Sequence, residues 1–168
     1  MGRTNKILIA VDDSEASRKA VTYVSKMVRG REPIHIYLFH VLPPIPPKLL
    51  EFGGAEDPQK EQLLSTDLNT AQAQWMEKAK TAAQLSLNTA QTILRDHGMS
   101  QHNISTRLSS SIHKPDVVRE VLEAAKQWDC GTVVVGRKTL PWLQELFHRH
   151  IGEELVQKGQ GFSVWVVE

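Results

Sequence analysis

The stretch Thr132-Val133-Val134-Val135-Gly136-Arg137-Lys138-Thr139, running on to His150, decides how this chain is read. Four consecutive β-branched residues suit a strand covered on both faces, as strands are in a parallel sheet. Gly136 ends the run, and beyond it Trp142, Leu143, Leu146, Phe147, Ile151 and Leu155 recur at helical spacing. A strand that turns through glycine into a helix start collects unpaired N–H groups and the positive end of the helix dipole, which together form a ready anion pocket.

The same alternation extends in both directions. Lys6-Ile7-Leu8-Ile9-Ala10-Val11 is an apolar run closed by Asp12-Asp13-Ser14, where Asp13 or Ser14 can cap a helix. Ala16, Ala20, Val24, Met27 and Val28 fall on one helical face, and Gly30 stops it. Ile34 to Val41 reads as a second strand. Pro43, Pro44, Pro46 and Pro47 then exclude regular structure, and with Gly53-Gly54 and Asp57-Pro58 they predict an irregular excursion over 42–66. Ser65, Thr66 or Asp67 is expected to begin a long helix that reaches His97 and ends at Gly98. Asn103 to Leu108 alternates in polarity and reads as an edge strand. Pro115 suits a helix first turn, ahead of an apolar face of Val117, Val118, Val121, Leu122 and Ala125. Phe162 to Val167 is the last strand. Five strands alternating with four helices predict an α/β three-layer sandwich, with a parallel sheet and right-handed crossovers. The whole of 1–168 is read as one domain, with the 42–66 segment inside it. Ligands of such sheets lie beyond the carboxyl ends of the strands, here Val11-Asp12, His40-Val41 and Val135-Gly136.

Composition narrows the function. The 168 residues carry a net charge of +1, so no broad field attracts nucleic acid or a membrane surface. A single cysteine, Cys130, excludes an internal disulfide and a cysteine-based zinc cluster, and a reducing cytoplasm is the expected location. Met1 to Lys6 leads into a strand with no apolar signal region, and no apolar run approaches the ~18 residues of a membrane span.

The strand ends resemble those of the universal stress protein family. Ile7-Leu8-Ile9-Ala10-Val11-Asp12-Asp13-Ser14 is similar to that family's opening strand and turn, and His40-Val41 before the prolines is similar to the end of its second strand. Val133-Val134-Val135-Gly136-Arg137 resembles the start of its nucleotide loop, and Ser163-Val164-Trp165-Val166-Val167 its closing strand. The resemblance implies an adenine-nucleotide alpha hydrolase-like fold with sheet order 3-2-1-4-5. It also implies homodimers paired through the last strand. Nucleotide-binding members carry Gly, two residues, Gly, nine residues, then Gly before Ser or Thr. Here those positions are Gly136, Thr139, Arg149 and His150, so one of the three glycines and none of the hydroxyls remains.

Glycine lets a loop adopt unusual φ and lets its backbone approach phosphate oxygens. Thr139 keeps the turn only at negative φ, and Arg149 puts a long side chain where close approach is wanted. Arg137, Lys138 and Arg149 could instead hold phosphate through their side chains. The resemblance places Asp12 near adenine and metal and the Val41 backbone near the adenine ring, whereas helix capping and core packing account for both without a ligand.

Other motifs carry less. His148 and His150 are two apart, which turns them to different sides of a helix, so no metal site is expected. Ser109-Ser110-Ser111 with His113 lacks the strand-to-helix elbow of a hydrolase serine, and no catalytic residue is assigned. The edge strand Val164-Trp165-Val166 is apolar on both faces, a liability unless another copy pairs with it. The expectation is a cytoplasmic, non-enzymatic homodimer of universal-stress type, with no cofactor. The alternative is an adenine-nucleotide switch that binds ATP with Mg²⁺ through Asp12, Val41, Gly136, Arg137, Lys138, Thr139, Arg149 and His150.

Overall fold

The computed structural model describes residues 3–31, 33–50, 56–109, 116–137 and 151–168. The elements run β1 (Lys6–Ala10), α1 (Glu15–Val28), β2 (His35–His40), α2 (Pro58–Asp96), β3 (Ile104–Leu108), α3 (Val117–Gln127), β4 (Thr132–Gly136), α4 (Ile151–Lys158) and β5 (Ser163–Val167). All neighbouring strands pair in parallel, in the order β3-β2-β1-β4-β5. This is the order expected from the sequence. Right-handed crossovers then put α1 and α2 on one face of the sheet and α3 and α4 on the other.

Alternation along each strand divides the core accordingly. Leu8, Phe39, Val41, Val133 and Val135 pack toward α3 and α4, with Ile151 and Leu155. Ile7, Ile9, Ile36, Leu38 and Val134 pack toward α1 and α2, with Val24, Leu87 and Leu94. Of the central strands, β1 is buried on both faces over residues 7–10 and β4 over Thr132–Gly136, and β2 is buried over residues 38–40, which is why their sequences are largely apolar. The edge strands are thinner. In β3 only Ile104 is buried, and in β5 Ser163 and Val166 are exposed.

The 42–66 excursion is shorter than the sequence reading held. A 3-10 turn spans Pro47–Leu49, and α2 begins at Pro58. Asp57 is the cap: its carboxylate accepts from the Gln59 N–H at 3.0 Å, and Pro58 fills the first helical position, where no donor is needed. Ser65, Thr66 and Asp67 are therefore interior residues of the helix. The dipeptide read as a loop signal is a helix start. At the far end Gly98 (φ 93) closes the helix, its N–H bonding to Arg95 O while Met99 N–H reaches Leu94 O. The residues read as the first half of the fourth helix, Trp142 to Phe147, lie outside the described residues, as do Gly53, Gly54, Pro115 and Ser110 to His113.

Candidate functional site

The carboxyl ends of β2, β1 and β4 lie side by side, because Val11 N–H bonds to Phe39 O at 2.9 Å and Ile9 is in register with Val134. Asp12, Val41 and Gly136 therefore share one rim of the sheet. Each is already engaged. The Asp12 carboxylate accepts from both the N–H and the hydroxyl of Ser14. The Ser14 oxygen accepts from Ser17 N–H at 3.1 Å, and the Ser17 oxygen accepts from Asp12 N–H at 3.0 Å. Ser14 is thus the cap of α1, and neither Asp12 nor Asp13 is. The buried Asp12 locks the strand-to-helix turn from beneath. Its sequence position fits a ligand contact, and its bonds serve the turn.

The Val41 side chain is buried in the α3/α4 half of the core. Next to it, Leu42 N–H donates to the buried Ser109 hydroxyl at 2.9 Å, and Ser109 N–H donates to His40 O at 2.8 Å. The sequence reading passed over Ser109 as a loop serine, and it is a brace between β2 and β3. His40 is 7% exposed, and its Nδ1 has no hydrogen-bond partner among the described residues. Burial lowers its pKa, against the opposing pull of Asp12, Asp13 and the Val41 backbone. A histidine held neutral in the fold must gain its proton on unfolding in acid. Its stabilising contribution is present above the unfolded value and is lost as pH falls through that value toward the lower folded one. The urea midpoint of the wild type should accordingly drop more between pH 7.5 and 5.5 than that of a His40→Gln variant. Equal drops would show that His40 does not govern this window.

Gly136 ends β4 in register with Val167. Arg137, one residue on, is turned outward. Its N–H donates to Val167 O at 2.7 Å, and its guanidinium pairs with the Glu168 carboxylate. It lines a cleft of about 420 Å³ between α4 and β5, with Gly152, Glu153, Val156, Gln157 and Val166. Arg137 thus lies toward β5, away from Asp12 and Val41. This pairing was missed in the sequence. The Gly136–Val167 register alone would have brought the two charges together. Lys138, Thr139, Arg149 and His150 lie outside the described residues.

A second cleft, about 230 Å³, opens between α1 and α2. Asp12, Asp13 and Arg18 stand on its α1 side and Leu85, Ser86 and Thr89 on its α2 side. Cys130 is fully buried, and desolvation pushes its thiol up to about 12, so it is no nucleophile. No cluster of metal-ligating side chains exists among the described residues. No described helix is long and apolar enough to cross a membrane.

A doubly wound sheet with this strand order and with functional positions on the β2-β1-β4 rim defines a nucleotide-binding-like α/β class. Within that class, the family model of the Universal stress protein family matches residues 3–167, and the chain belongs to that family. Solved structures agree in fold. A universal stress family protein from Burkholderia pseudomallei aligns over 99% of this chain and 98% of its own, with TM-score 0.60 and 16% identity. The universal stress protein from Archaeoglobus fulgidus in complex with dAMP aligns over 99% of both chains, with TM-score 0.60 and 15% identity. A universal stress protein in complex with cAMP aligns over 99% and 98%, with TM-score 0.59 and 12% identity. No curated protein matches the chain in sequence.

Proposed function

We propose that this universal stress family protein acts in the cytoplasm as a non-enzymatic homodimer in stress-linked regulation, without ATP as a working ligand. The observation that carries the reading is the state of Arg137. The first side chain after Gly136 is turned outward to pair with Glu168 on the exposed surface, and the first loop N–H is used in β4–β5 pairing. Neither this N–H nor this cation is therefore directed at the β2-β1-β4 rim, where a phosphate would need donors. The bonds of Asp12 within the turn support the same conclusion. Homodimer formation is assigned to β5, which pairs with a strand on one side only and carries the exposed Val166 beside Val164 and Trp165.

The second reading is an adenine-nucleotide switch, favoured by the dAMP and cAMP complexes of two fold relatives. Thermal denaturation with Mg-ATP separates the two. We expect no shift at millimolar nucleotide. A genuine site would stabilise by ~2.7 kcal/mol at a hundredfold excess over Kd, and such a rise would overturn the first reading.

A further inference from the structure

We propose that the first part of α2 is a self-association arm that pairs antiparallel with the same segment of a second copy, along Glu61, Leu64, Leu68, Ala71, Trp75 and Lys78. The inference goes beyond the β5-edge homodimer and does not depend on it.

α2 has 39 residues, and the first fully buried one is Ala83. About 25 residues, ~37 Å at helical rise, therefore precede its anchorage in the core. Helices in proteins draw most of their stability from packing of an apolar face, and this stretch is only partly covered by its own chain. The Pro47–Leu49 turn supports one side, where Gln72 Nε2 donates to Leu49 O. The proposed seam is centred about a quarter-turn away from Gln72. On it Leu64 is 47% exposed, and Leu68, Ala71 and Trp75 are only half-buried.

The spacing along the seam is three, four, three, four, three, the rhythm of a two-helix contact. That series reads the same in both directions. An antiparallel pair with its two-fold axis between Asn69 and Thr70 therefore matches every seam position at once. Leu64 meets Trp75 of the second copy, Leu68 meets its Ala71, and Glu61 meets its Lys78. Large faces small at the centre, and opposite charges close both ends.

The remaining charges agree. The first half of the arm carries Lys60 against Glu61 and Asp67, and the second half carries Glu77 against Lys78 and Lys80. A net negative half and a net positive half attract when two copies run antiparallel and repel when they run parallel. The arm as a whole is neutral, which gives it no pull on nucleic acid or an anionic membrane. A second copy is the occupant that this pattern fits. Since the contact is isologous and separate from β5, a chain that uses both surfaces assembles beyond the dimer.

Sedimentation equilibrium over a concentration series of the full chain tests this. The background is Val166→Lys, which blocks edge pairing at β5. Association should persist in that background. Glu61→Lys or Lys78→Glu alone should weaken it by about three- to tenfold, and the double swap should restore it. Leu64→Glu should weaken it by at least about a hundredfold. All three positions are on exposed surface, and thermal melts will verify that the variants fold. A monomer in the Val166→Lys background overturns the proposal, as does a double swap that fails to restore binding. So does a seam filled by another protein while this chain stays single.

Discussion

Gly131→Ala is expected to destabilise the protein by about 2–4 kcal/mol, with an unchanged denaturant slope. An added Cβ would lie 2.6 Å from the Arg3 carbonyl oxygen and 3.1 Å from its carbon. Neither wall of this site can yield. Gly131 N–H donates to Lys6 O at 3.0 Å, and Gly131 O accepts from Ser163 N–H at 2.9 Å, so the residue is tied to the starts of β1 and β5. Arg3 is tied in turn through its Nε to Cys130 O at 3.0 Å. The cost is one of contact, since there is no left-handed conformation to defend. Gly30 supplies the contrast. Its φ is 73° and a Cβ there would meet nothing, so Gly30→Ala should cost only ~1 kcal/mol, the penalty of the backbone conformation. Urea denaturation of both variants checks the order. If Gly131→Ala is as mild as Gly30→Ala, the Arg3 segment does not sit against this turn.

The second large effect contrasts two leucines of one helix. Leu94→Ala should cost about 3–4 kcal/mol, because Leu94 is fully buried among Ile36, Leu38 and Ile104 and its loss leaves a cavity. Leu63→Ala, at 65% exposure in the arm, should stay within about 0.5 kcal/mol. The substitution and the helix propensity change are identical at both sites, so the difference reports anchorage alone. Equal costs from urea melts would mean that α2 packs along its full length.

The fold was legible because burial on both sides leaves a direct trace. Uninterrupted runs rich in β-branched residues, such as Ile7 to Val11 and Thr132 to Val135, bounded by turn residues, suit central parallel strands. Glycines at helix ends were equally plain. The start of α2 was not, because Asp-Pro marks a loop as readily as a capped helix, and only the Asp57–Gln59 bond distinguishes them. At the site, sequence placed Asp12, Val41 and Gly136 on one rim correctly. It could not show that Asp12 is spent on Ser14, or that Arg137 turns toward Glu168. For Asp12 the partners are only two and five residues on, but which serine caps the helix is fixed by the geometry of the turn. For Arg137 the partner is about thirty positions away, and pattern reading does not reach that far. Ser109 was lost for the same reason: a serine in a polar triplet looks solvated until the strand beside it is known.

The order β3-β2-β1-β4-β5 also has a consequence for how the chain leaves the ribosome. The first three strands are neighbours in space and in synthesis, so that half of the sheet can form early. β1 must then wait with one flank bare until residues past Thr132 emerge, because its other neighbour is β4. The Gly131 to Lys6 bond is among the last to close, and it joins the newest segment to the oldest. Nascent chains stalled before that point will display the unpaired backbone edge and apolar side chains of Ile7 to Ile9, which is the natural target for a chaperone during translation.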